Sequence, residues 1–154
     1  MPTTIGEDDW MIRHTKLEDA KALQIICRED LGYESSLNSI ERQIDKLDQN
    51  EHHHAFVFED NRTKEVLGFV EVQIYESIYS ERGLNVLGLA VAHSHQGQGI
   101  GKQLMTYIEA WACQNNCTFI RLNSGSHRRE AHAFYRSLGY DGTKQQVRFI
   151  KFLQ

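Results

Sequence analysis

No apolar run in this chain of 154 residues approaches the length that spans a bilayer. Met1 to Asp9 is polar and acidic and lacks the apolar stretch of a signal peptide, so the sequence predicts a cytoplasmic protein with no membrane partner. Cysteine is scarce. Cys27, Cys113 and Cys117 are odd in number and show no Cys-x-x-Cys spacing, which argues against a disulfide framework and favours buried thiols. An excess of positive charge is missing too. A formal charge of −4 disfavours broad electrostatic binding to nucleic acid, and Arg128-Arg129 is only a local pair. A cationic small molecule is the better match. Metal-ligand spacing is also lacking: His52, His53 and His54 are adjacent and so point in different directions in any regular structure. No partner motif accompanies them, so no metal is expected and the triplet reads as a solvated loop.

Hydrophobic residues at 40% and charged residues at 25% form an ordinary globular balance, which predicts one domain over residues 1–154 without a second core. Trp10 to His14 reads as a first strand. Thr15-x-x-Glu18 fits a capping box, and Leu17, Ala20, Leu23 and Cys27 at helical spacing predict a helix to about Glu29, stopped at Gly32. Ser35 or Ser36 caps a second helix carrying Leu37, Ile40, Ile44 and Leu47. Ala55 to Glu59 and Val66 to Tyr75 read as a hairpin about Asp60–Lys64. On its second strand Phe69, Glu71, Gln73 and Tyr75 share one face. A Glu among aromatics is a candidate anion for an amine, and it equally fits a solvated face.

Leu84 to Val91 is nearly continuous in apolar residues and predicts a central fourth strand. A helix from Gly99 to about Cys113 leads to a parallel fifth strand, Thr118 to Asn123. Ser126 is placed to cap a last helix, which Gly139 stops, and Tyr140 and Val147 to Leu153 read as closing strands. The predicted order is β-α-α-β-β-β-α-β-α-β-β, a mixed α/β sheet.

Between the fourth strand and its helix lies His95-Gln96-Gly97-Gln98-Gly99-Ile100-Gly101-Lys102. Glycines at alternate positions leave consecutive N–H groups free to converge at a helix start, a setting that suits a phosphate or pyrophosphate. The glycines equally fit a plain turn. A P-loop is excluded because Gln96 stands where its first glycine belongs and Gln103 follows Gly101-Lys102. A Rossmann fingerprint is excluded because Lys102 replaces its third glycine and no acid occurs from Thr118 to Ser126.

What remains, Gln96-x-x-Gly99-x-Gly101, resembles the cofactor signature of the GNAT superfamily of acyl-coenzyme-A-dependent N-acyltransferases. The resemblance implies the GNAT fold from end to end, with the fourth and fifth strands splayed. It implies acetyl-CoA as co-substrate, with backbone groups of Leu89, Ala90 and Val91 along the pantetheine arm. The N–H groups of Gln96, Gly97, Gln98, Gly99, Ile100, Gly101 and Lys102 would then hold the pyrophosphate.

Ala131-His132-Ala133-Phe134-Tyr135-x-x-x-Gly139-Tyr140 resembles the second GNAT signature, in which the tyrosine reaches the thioester sulfur. Phe134 and Tyr135 also fit a core stripe at helical spacing. Acetyl transfer to an amine needs a neutral amine, a stabilised oxyanion and a proton for the departing thiolate. The resemblance makes Tyr135 the donor of that proton. Arg128 stands where many relatives carry an Asn, so Arg128 is assigned to a cofactor phosphate and Asn123 to the arm. Asn85 and Leu87 stand where some relatives place an acid or histidine. The base is therefore sought elsewhere, with Glu71 first and Glu76 and Glu34 behind it, against direct loss of the proton to water. Tyr33, Glu71 and Tyr75 are expected at the acceptor. The expected function is transfer of acetyl from acetyl-CoA to a primary amine of a small molecule or peptide in a ternary complex, and dimers are common in the superfamily. The alternative is a non-catalytic acyl-CoA-binding sensor or regulatory module of the same fold.

Overall fold

Alternating apolar residues build a five-stranded sheet in the order β1-β2-β3-β4-β5. The computed structural model describes residues 6–154. Met1 to Ile5, part of the polar leader, lie outside them. The strands are β1 (Trp10–His14), β2 (His53–Asp60), β3 (Val66–Ser77), β4 (Ser80–Val91) and β5 (Ile120–Leu122). The first four pair antiparallel, and β5 lies parallel to β4. The α-helices are α1 (Ala20–Ile26), α2 (Leu37–Asp48), α3 (Ile100–Gln114) and α4 (Arg129–Ser137). The chain divides into two compact units, Met1–Leu122 and Asn123–Gln154.

In the first unit, neighbouring residues of a strand face opposite ways, and the helices divide accordingly. Val57 and Phe69 pack with Leu23 and Ile26 of α1, and Ile44 of α2 joins them. Phe56 turns to the other face, edge-on to Tyr107 and Trp111 of α3. There Leu104, Met105 and Ile108 are fully buried. Gly68 of β3 brings α3 close, because a Cβ there would stand 3.0 Å from the Ile100 side chain and 3.1 Å from the Ala90 carbonyl oxygen.

Three local expectations are corrected. Thr15 and Glu18 form no capping box; the chain enters by a tighter 3-10 turn, Leu17–Asp19, which brings the Asp19 carboxylate to the Lys16 N–H at 2.8 Å. Arg13 holds that carboxylate in place at 2.8 and 2.9 Å. The first helix then widens to a π-turn, Cys27–Leu31, before Gly32 ends it at φ 76°. His53 and His54 are not in a loop: they open β2, where ladder pairing with Gln73 and Val72 sends the two imidazoles to opposite faces. Ser36 caps α2 as expected, accepting the Ser39 N–H at 3.1 Å.

In the second unit Ser126 does not cap α4, whose first turn begins at Arg129 with no side-chain cap. Instead a turn forms in which Arg128 N–H donates to the Gly125 carbonyl at 3.0 Å. Gly139, at φ 94°, stops the helix as expected. The expected closing strands are absent. No described strand includes any residue after Leu122, and Val147, Phe149 and Phe152 are exposed. Alternating apolar residues make a strand only where a ladder partner takes their backbone groups, and none is assigned to this segment.

Candidate active site

β4 changes its pairing halfway along. Leu84, Asn85 and Val86 pair with β5, and beyond Val86 no described strand pairs with β4 on that side. At the same point a bulge inserts Leu87: Val72 faces Val86 and Glu71 faces Gly88 on the β3 side. The bulge turns the outgoing backbone, leaving an open edge that an extended arm can join as another strand would. Ala92 N–H donates to the Leu67 carbonyl at 2.8 Å, so by the alternation of an antiparallel ladder Ala90 also directs its backbone into β3. Leu89 and Val91 direct theirs outward. Of the three residues expected along the arm, Ala90 is therefore committed to the sheet. Val91 N–H already donates to Asp30 Oδ2 at 3.3 Å and its carbonyl accepts from Gln96 Nε2 at 3.3 Å, which leaves the Leu89 groups for an arm, with the second lone pair of the Val91 carbonyl.

The open edge runs into the glycine loop. Gly97 and Gly99 have φ 79° and 83°, a region that strains residues with a Cβ, and a Cβ on either would meet nothing within 4 Å. The loop thus has a bare, open concave side. Among the described residues no protein acceptor is assigned to the N–H groups of Gly99, Ile100, Gly101 and Lys102, the start of α3. Ile100 is only 2% exposed, and its side chain anchors the core. These bare donors and the helix dipole fit the diphosphate of coenzyme A.

The Gln96 side chain turns to the protein, while its backbone N–H is the group expected at the pyrophosphate. Its side-chain amide donates to Asp30 Oδ1 at 2.8 Å and approaches the Val91 carbonyl at 3.3 Å. Asp30 therefore ties the end of β4 to the start of the loop. Sequence reading missed it because nothing near Asp30 marks it out.

On the α1–α2 side of the sheet lies a cavity of about 700 Å³, whose lining includes Ile40 and Ile44 of α2, Phe69 and Glu71 of β3, and His53 and Ala55 of β2. Glu71 sits there with small neighbours, Ala55 across one ladder and Gly88 across the other. His53, diagonal to it, lies 2.6 Å from Glu71 Oε2 through Nε2. Cys27 lines the same cavity, and burial first, with the Glu71 charge second, pushes its thiol up. His54, on the opposite face of β2 and against Trp111, has its imidazole pushed down by burial.

The other expected acceptor residues lie elsewhere. Tyr33 is 67% exposed and outside the cavity lining. Tyr75 is covered by the Arg121 guanidinium at 4.9 Å and meets Phe119 edge-on. Glu76 is held by Arg82 at 2.8 Å, and Glu34 does not line the cavity. Asn85 accepts from Arg121 at 3.2 Å, and the bulge leaves Leu87 exposed. Among the described residues no cluster of three His, Cys, Asp or Glu side chains suits a metal ion, and no helix is long and apolar enough to cross a membrane.

In the second unit Tyr135 stacks edge-on with Phe134 at 5.2 Å and with Tyr140 at 6.0 Å. Burial pushes its phenol up, opposed in part by the charge of Arg128. Arg128 and Asn123 are exposed.

A strand edge left open by a bulge thus leads into helix-start amides with no protein acceptor assigned among the described residues. Comparison with known proteins gives the family. Residues 20–140 match the acetyltransferase (GNAT) family. The chain is 27% identical over 147 residues to the aminoalkylphosphonate N-acetyltransferase of Salmonella typhimurium, covering 92% of this chain and 90% of that one. It is 27% identical over 89 residues to an aminoglycoside N(6')-acetyltransferase type 1 of Stenotrophomonas maltophilia, covering 55% and 58%. In fold it is similar to AAC(6')-Iy solved with the bisubstrate analogue CoA-S-monomethyl-acetylneamine, with a TM-score of 0.79, 16% identity and coverage of 93% and 98%. The chain belongs to the GNAT family. It is an acetyl-CoA-dependent N-acetyltransferase with the mixed α/β fold of that family.

Proposed function

We propose that this acetyltransferase works as a single domain over residues 1–154 and moves acetyl from acetyl-CoA directly to a primary amine of a small polycationic molecule in a ternary complex. The family match, which runs from residue 20 to 140, supports the single domain. The observation that carries the acceptor class is the charge of the cavity lining. Asp48, Glu51 and Glu71 are the acidic residues of the lining, which includes His14, His53 and His54 but no Lys or Arg. An acceptor with several ammonium groups meets charges of opposite sign, whereas the dianion of an aminophosphonate meets no fixed cation. The lining therefore favours the aminoglycoside type of acceptor over the aminoalkylphosphonate type.

Acetyl-CoA supplies an activated acetyl thioester. The amides from Gly99 to Lys102, the outward backbone groups of Leu89 and the Val91 carbonyl hold it. Glu71 takes a proton from the acceptor ammonium, leaving a neutral nitrogen lone pair. Tyr135 holds at its phenol oxygen the proton for the departing sulfur; this role rests on the Phe134-Tyr135 signature, and the upward push on the phenol keeps it protonated. Arg128 and Asn123 remain assigned to the cofactor by the same resemblance.

The experiment is thiol release with a panel of aminoglycosides, aminoalkylphosphonates and peptide amines. Higher kcat/KM with the polyamines is expected. Equal or better use of an aminoalkylphosphonate overturns the acceptor class. Tight acetyl-CoA binding without thiol release from any amine overturns turnover itself and leaves a regulatory module.

A further inference from the structure

We propose that His53 is a positioning residue for Glu71, donating from Nε2 to Glu71 Oε2 so that the other carboxylate oxygen is presented to the acceptor amine. The inference rests on the reading of Glu71 as the base and adds a residue that no local pattern marks out.

An ionised carboxylate only accepts hydrogen bonds, so the 2.6 Å contact is made by a protonated Nε2. The imidazole is held firmly. The His53 side chain is only 8% exposed, while that of Glu71 retains 31%. The backbone is fixed at both sides: His53 N–H donates to the Asn50 carbonyl at 3.0 Å, and the His52 carbonyl accepts the Ile74 N–H at 2.7 Å. Asn50 also uses its side-chain oxygen to accept the His52 N–H at 3.0 Å. A rigid donor thus meets a half-exposed acceptor, the arrangement that fixes a catalytic rotamer.

Along the ladders no neighbour takes the place of His53. Ala55 and Gly88, the lateral neighbours of Glu71, carry no polar side-chain atom. No other side-chain hydrogen bond to Glu71 is assigned among the described residues. Without His53, the Glu71 side chain is free to turn in a cavity of about 700 Å³. A base that must meet an amine within hydrogen-bond distance loses rate when its rotamer is free.

The test is a double-mutant cycle with His53→Leu and Glu71→Gln, with His53→Gln as the conservative control that retains a donor. We expect His53→Leu to lower kcat roughly tenfold or more, short of the ~10²–10⁴ range for loss of general acid–base catalysis. The Kd for acetyl-CoA should not change, and His53→Gln should restore most of the rate. In the Glu71→Gln background, His53→Leu should have little further effect, because the residue it positions is gone. Wild-type kcat in His53→Leu, or the same fractional loss in both backgrounds, overturns the positioning role. Wild-type kcat in Glu71→Gln instead overturns Glu71 as the base, and so separates the two failures. Thermal melting of each variant identifies a loss that comes from unfolding, and in that case the His53→Gln rate decides.

Discussion

The Gln96 side-chain amide donates to Asp30 Oδ1 at 2.8 Å, joining residues 66 positions apart. The same carboxylate takes the Val91 N–H at 3.3 Å through its other oxygen. One acid therefore spans the end of β4 and the entry to the glycine loop, the two segments assigned to the donor. Its effect on affinity is through order: a loop held before binding loses less entropy when it binds.

Asp30→Ala should weaken acetyl-CoA binding by about 1 kcal/mol, roughly fivefold in Kd, the scale of an ordinary hydrogen bond. Asp30→Asn keeps an acceptor oxygen and should lie between that variant and the parent. Titration calorimetry decides; an unchanged Kd in Asp30→Ala shows that the loop needs no such tie.

Gly99 stands at φ 83° with open space around its Cβ position. Gly99→Ala should cost about 1–2 kcal/mol, because a Cβ in the left-handed region crowds the following carbonyl. For a chain of this size that is a fall in Tm of about 2–8 °C. Gly99→Val should bind no acetyl-CoA, since its branches fill the concave side of the loop. Retained affinity in the Val variant moves the diphosphate elsewhere.

Asp19 is 6% exposed and pairs with Arg13 at 2.8 Å. Burial pushes its carboxyl up, but hydrogen bonds from Arg13 and from the Lys16 N–H outweigh this and hold it below the usual value. A depressed carboxyl stabilises the fold above its unfolded pKa of about 3.9, and this stabilisation is lost as pH falls through the lower folded value. Asp19→Asn should therefore destabilise by about 3 kcal/mol at neutral pH, the scale for removing one partner of a buried pair. The gap from the parent should narrow as pH falls below about 4 and close only below the lower folded value. Urea unfolding across that range is the measurement, and a gap independent of pH contradicts the pairing.

Tyr135→Phe should lower kcat by roughly 10²-fold while leaving the Kd for acetyl-CoA unchanged, the pattern of a lost proton donor. Because burial pushes the phenol up, its ionisation should not limit kcat below the ordinary tyrosine value of about 10. Stopped-flow measurement of the chemical step with a good acceptor is the check. An unchanged rate leaves Tyr135 as core packing beside Phe134.

Legibility followed the range of the interactions involved. The Ser36 cap, the Ile40 and Ile44 stripe of α2, the stop at Gly32 and the glycine loop before α3 were readable because each is decided within one turn of chain. The tail misled for the same reason. Its apolar and aromatic residues from Val147 to Leu153 suit a strand, but a strand also requires a partner, which local pattern does not contain. The histidine triplet was misread for want of its register: His53 and His54 differ completely once β2 pairs with β3.

By itself the sequence determined the family and the glycine loop before α3, because glycines and apolar spacing act through sterics that are local in the chain. Only the tertiary structure decided which acid serves which purpose. Asp30, Glu71 and Glu76 are equivalent as isolated carboxylates. Ladder register and helix packing bring the first to Gln96, the second to His53 and the third to Arg82. Those contacts close over 66, 18 and 6 residues, and a hydrogen bond exists only where folding has already brought its two ends together.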